Sequence, residues 1–309
     1  MTSERSVRIH LGPQILEAAR AGRHNFLNRL TAVLQECGFE TEFRENNYAE
    51  RIATGALPGW SMFEMEPPEG PRSLVFRLAY VAPFWQIDRT DRRWDWSVAQ
   101  ASFDPDPRHR EEAERFAAYW RRRLYGSAPE TVVRGGVIFV PLQARLLEKR
   151  PFQTMSPIMM LDWLLDRFPG RRIVATLHPK LDVTEEERAA LAALTARHGK
   201  LAVDRRSAPE MLARCDFVAT QNSAVAFEAL FFRKRALLFA GIDFHHPFAS
   251  IWRDGGEKAV ADLEGRQPDF DGYLHWYLQR QSLNAGRDDF RVKTMKRLGD
   301  LGMDLRVEG

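Results

Sequence analysis

A strand–helix junction in the second half of the chain offers the clearest chemistry. The apolar run 215–220 predicts a buried strand and the run 224–230 predicts a helix, with Asn222 and Ser223 between them. The first N–H groups of a helix have no partner within it, and the helix dipole favours negative charge at that end. Asn222 and Ser223 are therefore predicted to bind an anion such as a phosphate. The alternative is that they are ordinary helix N-caps.

Three further polar residues, Gln143, His178 and Asp243, follow apolar runs that also predict strands. The runs are 136–140, 172–177 and 236–240. In an open parallel sheet, ligands bind outside the carboxyl ends of the strands. We therefore expect these residues to meet the junction at one crevice.

Two residues near this crevice each have a functional and a structural interpretation. Because Pro179 follows it, His178 is biased towards an extended backbone. Its functional interpretation is a contact to a phosphate or leaving group, with general acid as a further role. Its structural interpretation is a histidine that caps a neighbouring carbonyl. Glu228 lies one turn behind the junction and is a candidate acceptor for a ribose diol, or else a solvent-facing residue. Adjacent residues such as His245 and His246 rarely face one site, so no metal is predicted.

The elements that must position these residues are clearest in the second half. Strand and helix patterns alternate from 136 to 240, which predicts a doubly wound parallel sheet. Ser156 before Pro157, and Thr184 three residues before Glu187, predict helix starts.

The first half is less regular. Strands are predicted near 6–10, 39–43 and 74–80, and helices over 25–37 and 108–124. The Trp-rich segment 83–103 lacks periodicity and is predicted to be a loop region. Gly, Ser and Pro at 126–135 predict a hinge. It divides the chain into lobes 1–130 and 131–309, the second with a terminal helix near 273–297 that packs back on the body.

Two surface features keep alternative interpretations. Trp85 lies among aromatic, Asp and Arg residues that suit stacking on sugar rings or bases, but they also suit packing at a lobe interface. The run Arg121–Arg123 predicts a solvated helix face, with acidic polysaccharide or anionic lipid as the alternative partner.

Composition excludes several classes of function. The net charge of +3 comes from 45 basic and 42 acidic residues and gives no reason to expect nucleic acid. Cys37 and Cys215 are expected to be reduced core residues, as in a cytoplasmic protein, and no Cys/His cluster predicts zinc. Neither a signal peptide nor a membrane span of about 18 apolar residues is expected.

The motifs occur in an order that resembles one family. They are Pro-Leu-Gln at 141–143, His-Pro at 178–179, Cys-Asp-Phe-Val at 215–218, Asn-Ser-Ala-Val-Ala-Phe-Glu-Ala-Leu at 222–230, and Gly241. This pattern resembles the capsule polysaccharide biosynthesis and export family, and within it the β-Kdo transferases that act on lipid-linked precursors. The likeness covers about 136–247.

The resemblance implies an α/β, GT-B-like fold of two Rossmann-type lobes with parallel sheets. It also implies a CMP-linked sugar donor, no cofactor, and a cytoplasmic site at the inner face of the membrane. Carried over by position, His178 and Ser223 would contact the donor phosphate and Glu228 the nucleotide. Gln143 and Asn222 complete the donor-side candidates.

The catalytic carboxylate is not fixed by the motifs. Relatives carry an acid four positions after the Gln, whereas this chain has Leu147 there and Glu148 one position further; Thr176 replaces a basic residue two positions before the His. Candidate catalytic groups are His178, Glu148 and Asp243. On the first lobe, where GT-B analogy places the acceptor, the candidates are Glu64, Asp88 and Trp85.

Three functions follow from these observations. The first is a glycosyltransferase of surface polysaccharide synthesis, moving a Kdo-like sugar from a CMP donor to a glycolipid or glycan. The second is a non-catalytic glycan-binding protein that assembles with the capsule export machinery at the inner membrane, and Leu147 favours it. The third is an epimerase of nucleotide sugars, which would need no acceptor.

Overall fold

The computed structural model describes residues 3–133, 135–177 and 183–306. The chain forms two compact units, Met1–Ala101 with Tyr277–Gly309 and Ser102–Trp276. Strands are β1 (Ser6–Leu11), β2 (Glu40–Glu45), β3 (Trp60–Glu64), β4 (Ser73–Leu78), β5 (Phe84–Asp88), β6 (Val137–Leu142), β7 (Arg172–Leu177), β8 (Leu201–Asp204), β9 (Phe217–Thr220), β10 (Arg235–Leu238), β11 (Ala249–Ser250) and β12 (Leu283–Asn284).

Helices connect most of these strands. They are α1 (Pro13–Arg20), α2 (Asn25–Glu36), α3 (Tyr48–Gly55), α4 (Ser97–Gln100), α5 (Arg110–Tyr125), α6 (Pro157–Arg167), α7 (Glu185–Arg197), α8 (Ala208–Leu212), α9 (Ala224–Phe231), α10 (Ile251–Asp254), α11 (Gly256–Gly265), α12 (Phe270–Leu274) and α13 (Phe290–Asp300). A π-helical turn spans His275–Arg280.

The second unit contains the predicted parallel sheet. Its six strands run in the order β11-β10-β9-β6-β7-β8, and every pairing is parallel. The central strands β6 and β9 are buried on both faces and read as continuous apolar runs. Counted from β6, this is the strand order 3-2-1-4-5-6 of the dinucleotide-binding folds.

The predicted helix starts are confirmed. Ser156 accepts a hydrogen bond from the N–H of Met159 at 3.3 Å and begins α6. Thr184 and Glu187 form the reciprocal capping box that begins α7. Local side-chain chemistry thus determines where these crossover helices begin.

The first unit contains a mixed sheet. Its order is β12-β5-β4-β3-β1-β2; the strands β2, β1, β3 and β4 pair in parallel, whereas β5 pairs antiparallel with both β4 and β12. The prediction of a loop over 83–103 is wrong at β5, which is fully buried. Polar residues within β5 interrupt the apolar pattern expected of a buried strand. One of them, Gln86, donates a hydrogen bond to the Ser282 hydroxyl at 2.9 Å, and this partner lies far away in the sequence.

The compact units differ from the predicted lobes 1–130 and 131–309. Residues from Tyr277 onward belong to the first unit, because β12 pairs with β5 and Phe290 of α13 packs edge-on against Phe26 of α2, with ring centroids 5.9 Å apart. The single helix expected near 273–297 is replaced by α12, the π-helical turn, β12 and α13.

Helix α5 belongs to the second unit and contains the run Arg121–Arg123, for which the sequence predicts a solvated helix face. That prediction is wrong for one of the three residues. Arg121 is buried; its Nε donates to the Phe231 carbonyl at 2.8 Å, and its guanidinium forms an ion pair with Asp271. Arg122 and Arg123 are exposed, as expected for a solvated face. One of the three arginines therefore holds α5 against α9.

Candidate functional site

The second sheet has a topological switch point between β6 and β9. From β6 the chain proceeds to β7 and β8 on one side, and from β9 to β10 and β11 on the other. Crossover helices diverge at such a point and leave a crevice outside the carboxyl ends of the two strands. Gln143 follows β6 and Asn222 follows β9, so both predicted residues lie at the switch point.

A direct contact joins these two residues. The Gln143 side-chain carbonyl accepts a hydrogen bond from the backbone N–H of Asn222 at 3.3 Å. The strand register agrees with this contact. Ile138 of β6 pairs with Phe217 of β9, and Gln143 and Asn222 each lie five positions after these paired residues. The Thr220 hydroxyl donates to the Pro141 carbonyl at 3.2 Å and fixes the same strand ends.

The start of α9 lies directly beyond this contact. Ser223 is its N-cap, and the hydroxyl accepts a hydrogen bond from the N–H of Val225 at 3.3 Å. Ser223 is partly exposed and Ala224, the first helical residue, is exposed, so no other described segment covers the helix start. The N-cap interpretation is thus confirmed for Ser223, whereas Asn222 precedes the cap; the exposed helix start keeps the geometry that favours an anion.

Glu228 faces a tyrosine that sequence reasoning missed. It is half-buried, and its carboxylate accepts a hydrogen bond from the Tyr125 hydroxyl of α5 at 3.3 Å. Burial raises the pKa of Glu228, while the Tyr125 hydrogen bond opposes that shift. The pKa of Tyr125 is raised by its own burial and by the nearby carboxylate. The role of Glu228 towards a ribose stays a prediction.

The three catalytic candidates differ in setting. His178 lies outside the described residues. Glu148 is exposed and forms an ion pair with Arg145 at 3.2 Å, whereas Asp243, which follows β10, is fully buried. A carboxylate that acts on substrate has to reach it, and neither setting by itself assigns that role.

On the first unit, the candidate Glu64 also lies at a switch point. It ends β3 next to β1, where the winding of the mixed sheet reverses, and its carboxylate accepts a hydrogen bond from the N–H of Gly12 at 3.1 Å. Burial raises the pKa of Glu64, and the Gly12 hydrogen bond opposes the shift. A raised pKa suits a general base near neutral pH.

Asp88 and Trp85 have structural partners instead. Asp88 is buried; its carboxylate accepts from the N–H of Ser97 at 2.7 Å and forms an ion pair with Arg297 at 2.6 Å. Trp85 is also buried and stacks on Phe26 with ring centroids 4.2 Å apart. This packing accounts for both residues without a ligand.

The histidine pair has local partners as well. The rings of His245 and His246 stack with centroids 4.1 Å apart; Nδ1 of His245 lies 3.0 Å from the Ile242 carbonyl, and Nδ1 of His246 lies 3.2 Å from the Tyr273 hydroxyl. Burial, with a smaller effect from His246, lowers the pKa of His245 to about 3. Within the described ranges, no group of three or more His, Cys, Asp or Glu residues could hold a metal ion.

Sequence reasoning also missed a polar group beside the switch point. In the loop after β6, Nε and Nη2 of Arg150 and Nε2 of Gln153 are buried and have no hydrogen-bond partner among the residues that the structure describes; the same holds for Oε1 of Gln221. Of these residues, Gln221 alone has a signal in the sequence, because it lies between a predicted buried strand and a predicted helix start.

Two further expectations can be compared with the structure. Cys37 and Cys215 are both buried and unpaired, as predicted for reduced core residues. In the part of the chain that the structure describes, no helix combines the length and apolar character needed to cross a membrane.

Comparison with known proteins gives a likeness of fold. No protein-family model and no curated protein matches the chain. The solved structure of KpsC β-Kdo 2,7 transferase from Thermosulfurimonas dismutans is 12% identical, with a TM-score of 0.57 over 96% of this chain and 100% of that one.

Two further solved structures have lower TM-scores. KpsC β-Kdo 2,4 transferase from the same organism is 12% identical, with a TM-score of 0.47 over 88% of this chain and 89% of that one. UDP-GlcNAc 2-epimerase from Methanocaldococcus jannaschii is 9% identical, with a TM-score of 0.37 over 96% of this chain and 99% of that one. The likeness to the 2,7 transferase shows the fold, which is α/β and GT-B-like as predicted. At the level of the fold, it agrees with the family resemblance that the sequence motifs indicate.

Proposed function

We propose that the chain is a glycosyltransferase of capsular or surface polysaccharide synthesis. It takes a sugar, Kdo-like in kind, from a CMP-linked donor and transfers it to a glycolipid or glycan acceptor. The observation that carries this proposal is the switch point, where Gln143 contacts Asn222 and the exposed start of α9 follows. Ligands of open α/β sheets bind at such points, and helix starts favour phosphate.

The donor-binding residues in this proposal are Gln143, Asn222, Ser223 and Glu228, together with His178. The N–H groups at the start of α9 and the Ser223 hydroxyl would hold the donor phosphate. When the glycosidic C–O bond at the anomeric carbon breaks, charge builds up on the departing phosphate, and fixed donors stabilise it. His178 would contact the same leaving group.

Among the acceptor-side candidates, Glu64 fits a general base best. A general base takes the proton from the acceptor hydroxyl when that oxygen attacks the sugar. We place the protein in the cytoplasm, peripherally at the inner membrane where lipid-linked acceptors lie.

Calorimetric titration of CMP into the full chain tests the donor site. We expect saturable binding by the wild type, with more than tenfold weaker binding by Ser223→Ala and by His178→Ala, because a hydrogen bond to a charged group contributes about 1.5–3 kcal/mol. Ser250→Ala is the matched control, since this serine also caps a helix, α10, through a 3.3 Å bond but is the last residue of the edge strand β11.

The control should lose stability but not CMP affinity. Absence of CMP binding by the wild type would refute the donor site, as would equal affinity in wild type, Ser223→Ala and His178→Ala.

A second candidate function is a non-catalytic glycan-binding protein that assembles with the export machinery. One observation favours it: Leu147 stands where relatives carry an acid, and its side chain is 41% exposed. Donor hydrolysis and transfer assays with purified protein separate the two functions. CMP binding without turnover on any acceptor supports the non-catalytic function, whereas release of CMP from a CMP-linked sugar supports the transferase.

A further inference from the structure

The loop after β6 returns to the carboxyl ends of β9 and β10. The N–H of Thr154 donates to the Phe239 carbonyl at 2.9 Å, and the N–H of Gly241 donates to the Phe152 carbonyl at 2.9 Å. Gln221 ties the same loop to the end of β9, because its Nε2 donates to the Met155 carbonyl at 3.0 Å. Residues 150–155 therefore lie beside the switch point, on its β10 side.

Two side-chain donors of Arg150 have no acceptor in the described part of the chain. The guanidinium lies over the Phe152 ring, 4.8 Å from the centroid, and its buried Nε and Nη2 have no hydrogen-bond partner among the described residues. The N–H bonds of a guanidinium lie in its plane, so contact with a ring on one face leaves them free for an acceptor at the edge. Nε and Nη2 are adjacent and match the two oxygens of a carboxylate or phosphate.

The charges around Arg150 do not neutralise it. The nearby Glu148 already forms an ion pair with Arg145. Burial, and then the charge of Arg145, lower the pKa of Arg150, with Glu148 opposing. A partly desolvated guanidinium without a bonded anion is costly, and an anionic ligand would remove that cost.

Two buried amides complete the group. Gln153 and Gln221 are 3% and 2% exposed. Oε1 of Gln153 accepts a hydrogen bond from the backbone N–H of Arg150 at 2.9 Å. Within the described ranges, Nε2 of Gln153 is a donor without a partner and Oε1 of Gln221 is an acceptor without one. The group thus offers donors to an oxyanion and one acceptor to a hydroxyl or amino group.

We propose that Arg150, Gln153 and Gln221 form a subsite for an oxyanion of the activated sugar. Arg150 binds the oxyanion through Nε and Nη2, Gln153 adds a third donor, and Gln221 accepts from a neighbouring hydroxyl or amino group of the same ligand. The identity of the ligand rests on the proposed function. The oxyanion is either the donor phosphate or the carboxylate of a sugar acid, and the two are separable by experiment.

Calorimetric titration with CMP, cytidine and free Kdo tests the subsite in the full chain. Arg150→Met keeps the apolar stem over Phe152 but removes the charge and the donors, so we expect at least tenfold weaker binding of one anionic probe and unchanged binding of cytidine. If Arg150→Met weakens the binding of CMP, the bound oxyanion is the phosphate. If it weakens the binding of Kdo, the bound oxyanion is the carboxylate. Arg150→Lys should recover part of the affinity, because it keeps the charge without the fork.

Two more variants make the test specific. Gln153→Glu is nearly isosteric and puts a negative charge beside the oxyanion, so it should weaken the same probe at least tenfold. Lys149→Met removes one positive charge from an exposed neighbour in the same loop and should change no affinity. Circular dichroism confirms folding, and Arg150→Lys serves if Arg150→Met does not fold.

Failure of the subsite and failure of the proposed function give different results. If the wild type binds CMP and Arg150→Met binds both anions equally well, the subsite is wrong while the donor site stands. If the wild type binds neither CMP nor Kdo, thermal unfolding with inorganic phosphate decides: stabilisation that is lost in Arg150→Met supports the subsite, and equal or absent stabilisation overturns it.

Discussion

At the residue scale, polar groups of the proposed donor site hold one another in place through hydrogen bonds. Gln143 is positioned by the Asn222 backbone, and Glu228 by the Tyr125 hydroxyl. Partly buried polar groups need such partners, because each one left unsatisfied costs about 1–3 kcal/mol. The same requirement makes the unpartnered atoms of Arg150, Gln153 and Gln221 informative.

The Tyr125–Glu228 contact predicts a pH-dependent loss of stability. Tyr125→Phe removes the hydrogen bond that opposes the raised pKa of Glu228. We expect the free energy of unfolding at pH 7 to fall by about 1–2 kcal/mol. A carboxyl whose folded pKa is raised binds its proton more tightly when folded, so stability is lost as pH rises from the ordinary pKa to the folded one.

Urea unfolding at pH 7 and pH 5 measures this effect. The deficit of Tyr125→Phe should shrink at pH 5, where more of Glu228 is protonated in the folded state. Tyr119→Phe, in the exposed part of the same helix, is the control and should be nearly neutral. An equal deficit at both pH values would show that Glu228 is not the group involved.

At the element scale, α13 is attached to β5 by a buried ion pair. Arg297 donates to the Ile87 carbonyl at 2.8 Å and pairs with the buried Asp88 at 2.6 Å. Because Asp88 has this partner, the strand tolerates a carboxylate. The contact also explains why local periodicity predicted a loop here.

Breaking this pair should be far more costly than breaking an exposed one on the same helix. Arg297→Met leaves the Asp88 carboxylate buried, so we expect a loss of about 3–5 kcal/mol in the free energy of unfolding. Arg291→Met, which breaks an exposed pair with Glu36, should cost less than about 1 kcal/mol. Chemical denaturation compares the two, and similar losses would contradict the assigned role of Asp88.

Sequence reasoning succeeded where the signal was local. The strands of the second sheet and the caps at Ser156 and Thr184 follow from periodicity and capping chemistry. It failed where a partner lies far along the chain, as for Gln86 with Ser282 and Arg121 with Asp271. It placed Gln143 and Asn222 together because strand ends converge, but it gave no sign of Arg150, whose setting depends on how its loop folds back.

At the scale of the whole molecule, the chain returns to complete its first unit. Leu283, Phe290 and Leu298 are buried in the core that contains Ile9 and Phe26 of the first hundred residues. The terminal segment therefore supplies core packing as well as a sheet strand. The second unit has a separate core around β6 and β9.

Truncation after Trp276 should therefore damage one unit selectively. We expect amides of α2 and β5 to lose protection from hydrogen exchange, because their apolar faces lose Leu283 and Phe290. Amides of β6 and β9 should keep theirs. Equal loss of protection in both sheets would contradict the division into units.

The central claim is that the switch point of the second sheet binds the phosphate of a nucleotide. A crystal structure of the full chain with CMP tests it most directly. We predict a phosphate oxygen about 3 Å from the Ser223 hydroxyl and from the N–H groups that begin α9, with Gln143 beside the nucleotide. CMP bound elsewhere, with the start of α9 facing only solvent, would contradict the claim.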